Sequence, residues 1–469
     1  MQKSLLVRIL RTCSKKEFRD LQKWLASPMH NLRKDVAKLF EYLMEEDHLY
    51  NDSFLDKEAA FKWVFSKEAY DDAKMRQTMY FTTKCLEAFL IYEALLEDEV
   101  RARTALGNVY RKRKLDQPFQ KNMRETEKIQ KEQEYRNGQF LHNEYFIQQE
   151  KYYYLSGVKR LELNLQKMSD ALDATYIADK LRQSCLMLAH QAVYKKQEYE
   201  IGLLNDVLNA VREKGFLDHP AIAIYYYSYM AQTEKEDESH FLNLRHEITQ
   251  NGHLFPKAEI RDIYLLAINY CIGRSNAGMP HYLRELFELY RHGLAQKVLF
   301  DGKVLSRYTF INVVTNATIL KEYEWTGSFI KEYKQYLENK YRDNIVSYSL
   351  GKLLFEKKEY DAAMRLFNQV DYDDILMNMN SKVMQIQMFY ELDEFDVLES
   401  FLESTRAYLF RKKVIAYHRS TFKNFLRFTK KLVKTNPYST AQRDKLQKEI
   451  EEASPLTEKK WLLEKLEDL

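Results

Sequence analysis

The stretch SLGKLLFEKKEYDAAMRLF, Ser349–Phe367, decides how the rest of the chain is read. Leu350 and Leu354 stand one helical turn apart, charged residues interrupt, and Tyr360, Ala363 and Phe367 resume at three- and four-residue spacing. The spacing predicts two helices joined by a tight turn. Gly351 and Ala363 lack bulk where the two helices would face each other, and the aromatic rings wedge against a neighbouring pair.

Composition extends this reading to the whole chain. Among 469 residues there are 12 glycines and 7 prolines, where average usage gives roughly 33 and 23. That shortage argues against the many turns of a β-sandwich and the glycine-rich loops of doubly wound α/β enzymes, and leaves helix. Apolar residues make 45% and charged residues 30%, a globular composition rather than a disordered one. The net charge of +4 gives no bulk argument for nucleic acid or membrane. Tyrosine reaches 34, with runs at Tyr152–Tyr154 and Tyr225–Tyr227. Such rings suit interhelix packing with the hydroxyl left for water or a partner.

A step of 35 residues carries the pattern in both directions. Trp325, Tyr360 and Phe395 each follow an acid (Glu324, Glu359, Glu394), and Ser328, Ala363 and Leu398 fall at the small position. The Leu350-Gly351 pair, the aromatic at the turn, and the small residue and aromatic of the second helix resemble the tetratricopeptide repeat (TPR). The segment around 344–377 resembles it most clearly, with weaker flanking repeats. The resemblance implies an all-α chain: an N-terminal helical module, then a TPR-like α-α superhelix with C-terminal capping helices. The expected divisions are 1–115 for the module, 116–173 for connecting long helices, 174–409 for the helical repeats, and 410–469 for a basic helix and the cap.

Local signals outside the repeats agree with helix. Ser14 and Glu17 have the spacing of a capping box, and Ser27-Pro28 ends the helix they begin. The segment from Arg124 to Gly138 is polar almost all round, and a domain boundary is expected within it. The N-terminus reads as an amphipathic first helix rather than a signal peptide. No stretch approaches the ~18 apolar residues of a membrane span. Cys13, Cys85, Cys185 and Cys271 form no ligand spacing and read as core thiols of a reducing compartment. The expectation is a cytoplasmic protein with no membrane partner.

Residue sets that carry chemistry are not evident. There is no GxGxxG, no P-loop and no HExxH, and Gly273–Gly278 reads as a loop between helices rather than a nucleophile elbow. Asp371, Asp373 and Asp374 lack the glycine and terminal glutamate of a calcium loop and read as an acidic turn. A non-catalytic chain with no cofactor and no metal is expected.

Two candidate surfaces remain, both for a partner of unspecified identity. The TPR resemblance implies a concave wall built from the first helix of each pair, able to bind a peptide or helix. In the clear repeat its positions are Ile345, Tyr348, Lys352, Phe355 and Glu356; the 35-residue step adds Asn380, Val383, Gln387 and Tyr390, and Phe310, Val313 and Ala317. The same aromatics suit buried packing equally. The second surface is electrostatic. Glu356–Glu403 holds twelve acids against four basic residues, whereas Thr405–Lys434 holds ten basic residues and no acid. Arg419, Lys423, Arg427, Lys430 and Lys434 share one helix face. That stripe fits nucleic acid or an acidic partner, unless the acid-rich repeat and Glu449, Glu451 and Glu452 neutralise it internally.

Overall fold

The computed structural model describes residues 1–158, 162–194, 197–370, 374–411 and 416–469. It is all-α apart from one two-stranded hairpin. The described residues contain no helix long and apolar enough to cross a membrane. The chain forms two compact units, Met1–Lys180 and Leu181–Leu469.

The first unit carries α1 (Leu5–Leu10), α2 (Lys15–Ala26), α3 (Lys34–Met44), α4 (Lys57–Val64), α5 (Asp72–Glu97), α6 (Glu99–Lys112), α7 (Asp116–Glu132) and α8 (Gly138–Leu155). The boundary between units falls within α9 (Leu165–Val193). Ser14 and Glu17 make the reciprocal capping box that starts α2, which satisfies two backbone donors that would otherwise lack partners. Apolar side chains of α1–α5, among them Leu10, Leu39, Phe61, Met75 and Phe89, form one core. At its edge the Asp35 carboxylate accepts from Arg33 at 2.6 Å and from the Thr78 hydroxyl at 2.9 Å, tying α3 to α5.

The polar helix α7 lies inside this unit rather than at its border, and its buried face explains why. Asn122, Thr126 and Gln130 are buried. Asn122 donates to the Arg103 carbonyl and Gln130 to the Phe140 carbonyl, each at 2.8 Å. Opposite them, buried Glu150 of α8 accepts from Arg111 at 2.5 Å. These hydrogen bonds flank the small apolar cluster of Val100, Phe119, Met123 and Ile147 that the same helices share.

The second unit runs through α10 (Leu204–Glu213), α11 (Pro220–Thr233), α12 (Ser239–Asn251), α13 (Lys257–Asn276) and α14 (Tyr282–Ala295). The hairpin β1 (Phe300–Asp301) and β2 (Val304–Leu305) turns at Gly302. There follow α15 (Arg307–Ile319), α16 (Tyr323–Tyr333), α17 (Arg342–Glu356), α18 (Tyr360–Gln369), α19 (Ile375–Glu391) and α20 (Phe395–Arg411). The chain closes with α21 (Ala416–Lys434), α22 (Thr440–Glu452) and α23 (Lys459–Glu467). From α11 to α20 consecutive helices pack as pairs, and α17 also packs on α15 and α19. Tyr264, Tyr282 and Tyr290 are fully buried between helices. Burial pushes the Cys185 thiol up to about 12. Contrary to the loop expected at Gly273–Gly278, α13 continues through Gly273 to Asn276.

Three of the pairs share one turn. Lys321, Lys358 and Asp393 adopt positive φ of 61°, 63° and 60°. The next N–H in each, from Glu322, Glu359 and Glu394, reaches back to the carbonyls of Ala317, Leu354 and Phe389. This is the Schellman closure, made here without glycine. The second helices accordingly begin at Tyr323, Tyr360 and Phe395. Thr326, Ala363 and Leu398 are buried one turn in, and Ile330, Phe367 and Leu402 a turn further. Trp325 and Ser328 are therefore not the counterparts of Tyr360 and Ala363. The uniform 35-residue step slips by two at this turn, because an acid precedes both Tyr323 and Trp325.

Candidate functional site

The C-terminal helices build the most distinctive concave feature of the second unit. The face of α21 that carries Phe422, Phe425, Leu426, Phe428 and Leu432 is buried, leaving its lysines and arginines outward. Lys430 meets Glu403 of α20 at 2.5 Å, Lys434 meets Glu399 at 3.5 Å, and Lys431 on the other side hydrogen-bonds Glu449 of α22. The helix thus lies between α20 and α22, pinned to each by ion pairs. Donation from Lys430 holds the Glu403 carboxyl below the usual carboxylate range, and Lys431 does the same for Glu449.

Between α20 and α22 a trough of about 520 Å³ opens above α21. Leu402 and Leu409 of α20, Leu426 of α21 and Leu446 of α22 line its floor. Its rim carries seven cations, Arg406, Lys423, Arg427, Lys430, Lys431, Lys434 and Lys445, against two acids, Glu403 and Glu449. Among the described residues no carboxylate lies within 4.0 Å of Arg406, Lys423, Arg427 or Lys445. Arg427 rests its guanidinium 4.4 Å from the centre of the Phe428 ring. The trough thus sets an excess of positive charge over an apolar floor. A cleft of about 530 Å³ between α14 and α16 is as large. Glu288, Arg291 and Glu332 line it, so its charge is small and of the opposite sign to that of the trough.

The stripe residues divide on this geometry. Lys423, Arg427, Lys430 and Lys434 line the trough, whereas Arg419 is exposed beyond it. Direct ion pairs take Lys430 and Lys434, whereas among the described residues Lys423 and Arg427 have no carboxylate within 4.0 Å and Arg427 acts on Glu449 only through its field. Residues 412–415 of the basic run lie outside the described residues. Arg406, Lys445 and the four leucines were not singled out from sequence; their one signal is the interleaving of Leu402, Arg406 and Leu409 at helical spacing.

The concave wall expected from the first helices is mostly interior. Phe310, Val313, Ala317, Ile345, Tyr348, Val383 and Gln387 are buried, because α15, α17 and α19 turn that face toward neighbouring helices. Phe310 packs on Phe329 and Tyr348 on Phe367. Lys352, Phe355, Glu356 and Tyr390 are half-buried and engaged locally. Lys352 lies 3.7 Å from Glu356, Phe355 lies against Tyr360, and Tyr390 meets Trp461 edge-on. Asn380 alone of the twelve is exposed. Of the acidic turn, Asp371 and Asp373 lie outside the described residues. Asp374 caps α19, accepting from the N–H groups of Leu376 and Met377.

No protein-family model matches the chain, and neither a curated protein nor a solved structure matches it.

Proposed function

We propose that this chain is a non-catalytic protein-interaction scaffold whose C-terminal trough holds an acidic segment of a partner protein. The observation that carries the reading is the pairing of a leucine floor with a rim of seven cations against two acids among the described residues. A nucleic-acid backbone would use the cations but not the floor. Among the described residues no aromatic side chain lines the trough, so they offer no platform for the stacking on which single strands depend. The TPR-like array belongs to the same proposal. It is supported by the three matching turns and by the packing of Phe367 on Gly351. In that reading α22 and α23 cap the array. The four free cysteines support a reducing, cytoplasmic setting.

The test is direct titration of the full chain with two fluorescent probes, an acidic leucine-bearing peptide and an oligouridylate. Peptide binding that weakens about tenfold in the double variant Lys423→Glu, Arg427→Glu is the expected result. Tighter binding of the RNA, with a steep salt dependence that the same double variant flattens, would replace this reading with the nucleic-acid alternative.

A further inference from the structure

Resting on the trough as a site for an acidic partner, we infer that the occupant is an amphipathic α-helix, seated as the missing fourth helix of a bundle with α20, α21 and α22. The ion pairs Glu399–Lys434 and Glu403–Lys430 descend one helix while climbing the other, so α20 and α21 are antiparallel. The α21–α22 turn is short, with the Asn436 N–H donating to Gln442, and Lys431 meets Glu449 a few residues on, so α22 runs back along α21. Two helices leaning on a third leave a channel above it. In a four-helix bundle that channel holds another helix, about 10–12 Å across with its side chains.

Dimensions and charge agree. The α21 edge from Lys423 to Thr435 spans roughly 18 Å, about three helical turns. Leu402 and Leu409 stand two turns apart, the repeat at which a partner helix presents its own apolar stripe. Cations with no carboxylate within 4.0 Å among the described residues stand on both walls, Arg406 on α20 and Lys445 on α22, with Lys423 and Arg427 toward one end. The occupant must therefore direct apolar groups downward and carboxylates to both sides at once. A helix does so, with acids flanking its apolar stripe as they flank a coiled-coil seam. An extended strand sends alternate side chains down and up, so carboxylates between its apolar residues would point away from the walls.

The experiment uses the full chain and two blocked synthetic peptides of equal composition, about 18 residues of leucine, glutamate and serine. One spaces leucine at three and four residues with glutamate on both flanks, and the other alternates leucine and glutamate through its centre with the serines at its ends. Affinity is read by calorimetry and peptide conformation by far-UV circular dichroism of the mixture. The first peptide should gain helix on binding and bind at least about tenfold more tightly than the second, and Lys423→Glu, Arg427→Glu should lose about tenfold without shifting the unfolding midpoint. Equal affinities, or binding with no gain of helix, would overturn the helical occupant while leaving the acidic-partner reading in place. Failure of both peptides to bind would overturn both. A self-associated chain that the first peptide dissociates would show a second copy as the occupant, and tighter binding to anionic lipid vesicles would show a membrane surface; either result overturns the proposal.

Discussion

A β-carbon added to Gly351 would stand 2.9 Å from Cε1 of Phe367, whose ring is 1% exposed and has nowhere to swing. Helices α17 and α18 approach so closely because one of them offers no side chain at the crossing. Gly351→Ala should therefore destabilise the chain by about 1–2 kcal/mol, the overpacking cost outweighing the helix-propensity gain of roughly 1 kcal/mol. At Gly327 the nearest atom to the same addition is Leu353 Cδ2 at 3.9 Å. Gly327→Ala should then stabilise by about 0.5–1 kcal/mol. Urea denaturation of the two variants gives opposite signs on this account, and a stabilising Gly351→Ala would show that Phe367 does not hold its place.

The shared turn offers a second test. Lys321, Lys358 and Asp393 occupy left-handed backbone that costs an L-residue roughly 1–2 kcal/mol. Glycine at any of them loses more conformational freedom on folding but removes the side-chain clash. The net gain expected is about 0.5–1 kcal/mol each. The three sites are separate turns, so a triple variant should sum the single gains. Thermal midpoints that fall on glycine substitution would mean these lysines and the aspartate hold contacts more valuable than the relief of strain.

Asp35 sets a pH dependence of known sign. Burial alone would raise its pKa, but the hydrogen bonds from Arg33 and Thr78 and the charge of Arg33 more than offset this and hold it low. A carboxyl whose folded pKa lies below its unfolded value near 3.9 contributes stability above that pH, and the contribution is lost as pH falls through the folded value. Asp35→Asn should be less stable than the parent at pH 7, with the difference shrinking below about pH 4. A constant difference across that range would assign the loss to packing rather than to charge.

Much of this architecture is written in local spacing, and the errors have local causes. The α2 cap, the α17–α18 hairpin and the two final helices need only neighbours within a turn or two. The step of 35 residues failed between α16 and α18 because two acid–aromatic pairs, Glu322-Tyr323 and Glu324-Trp325, compete for one turn. Only the backbone bond from the Glu322 N–H to the Ala317 carbonyl decides between them. The charge run marked α21 as a candidate surface. The trough itself stayed hidden, since Leu402, Leu426 and Leu446 come from three helices and any one of them reads as ordinary core. The polar helix α7 misled for the opposite reason: buried amides look like solvent-facing ones until their carbonyl partners are placed.

That amide-lined seam has a consequence for how the chain is made. During synthesis α6 and α7 emerge before α8 exists to cover them, and a face of asparagine, threonine and glutamine stays wetted by water in the interval. Sticky intermediates come from transiently bare oily surface, and here such surface is limited to a small cluster that includes Val100, Phe119 and Met123. The core of α1–α5 leaves a far larger leucine-rich surface bare while it waits for its last helix.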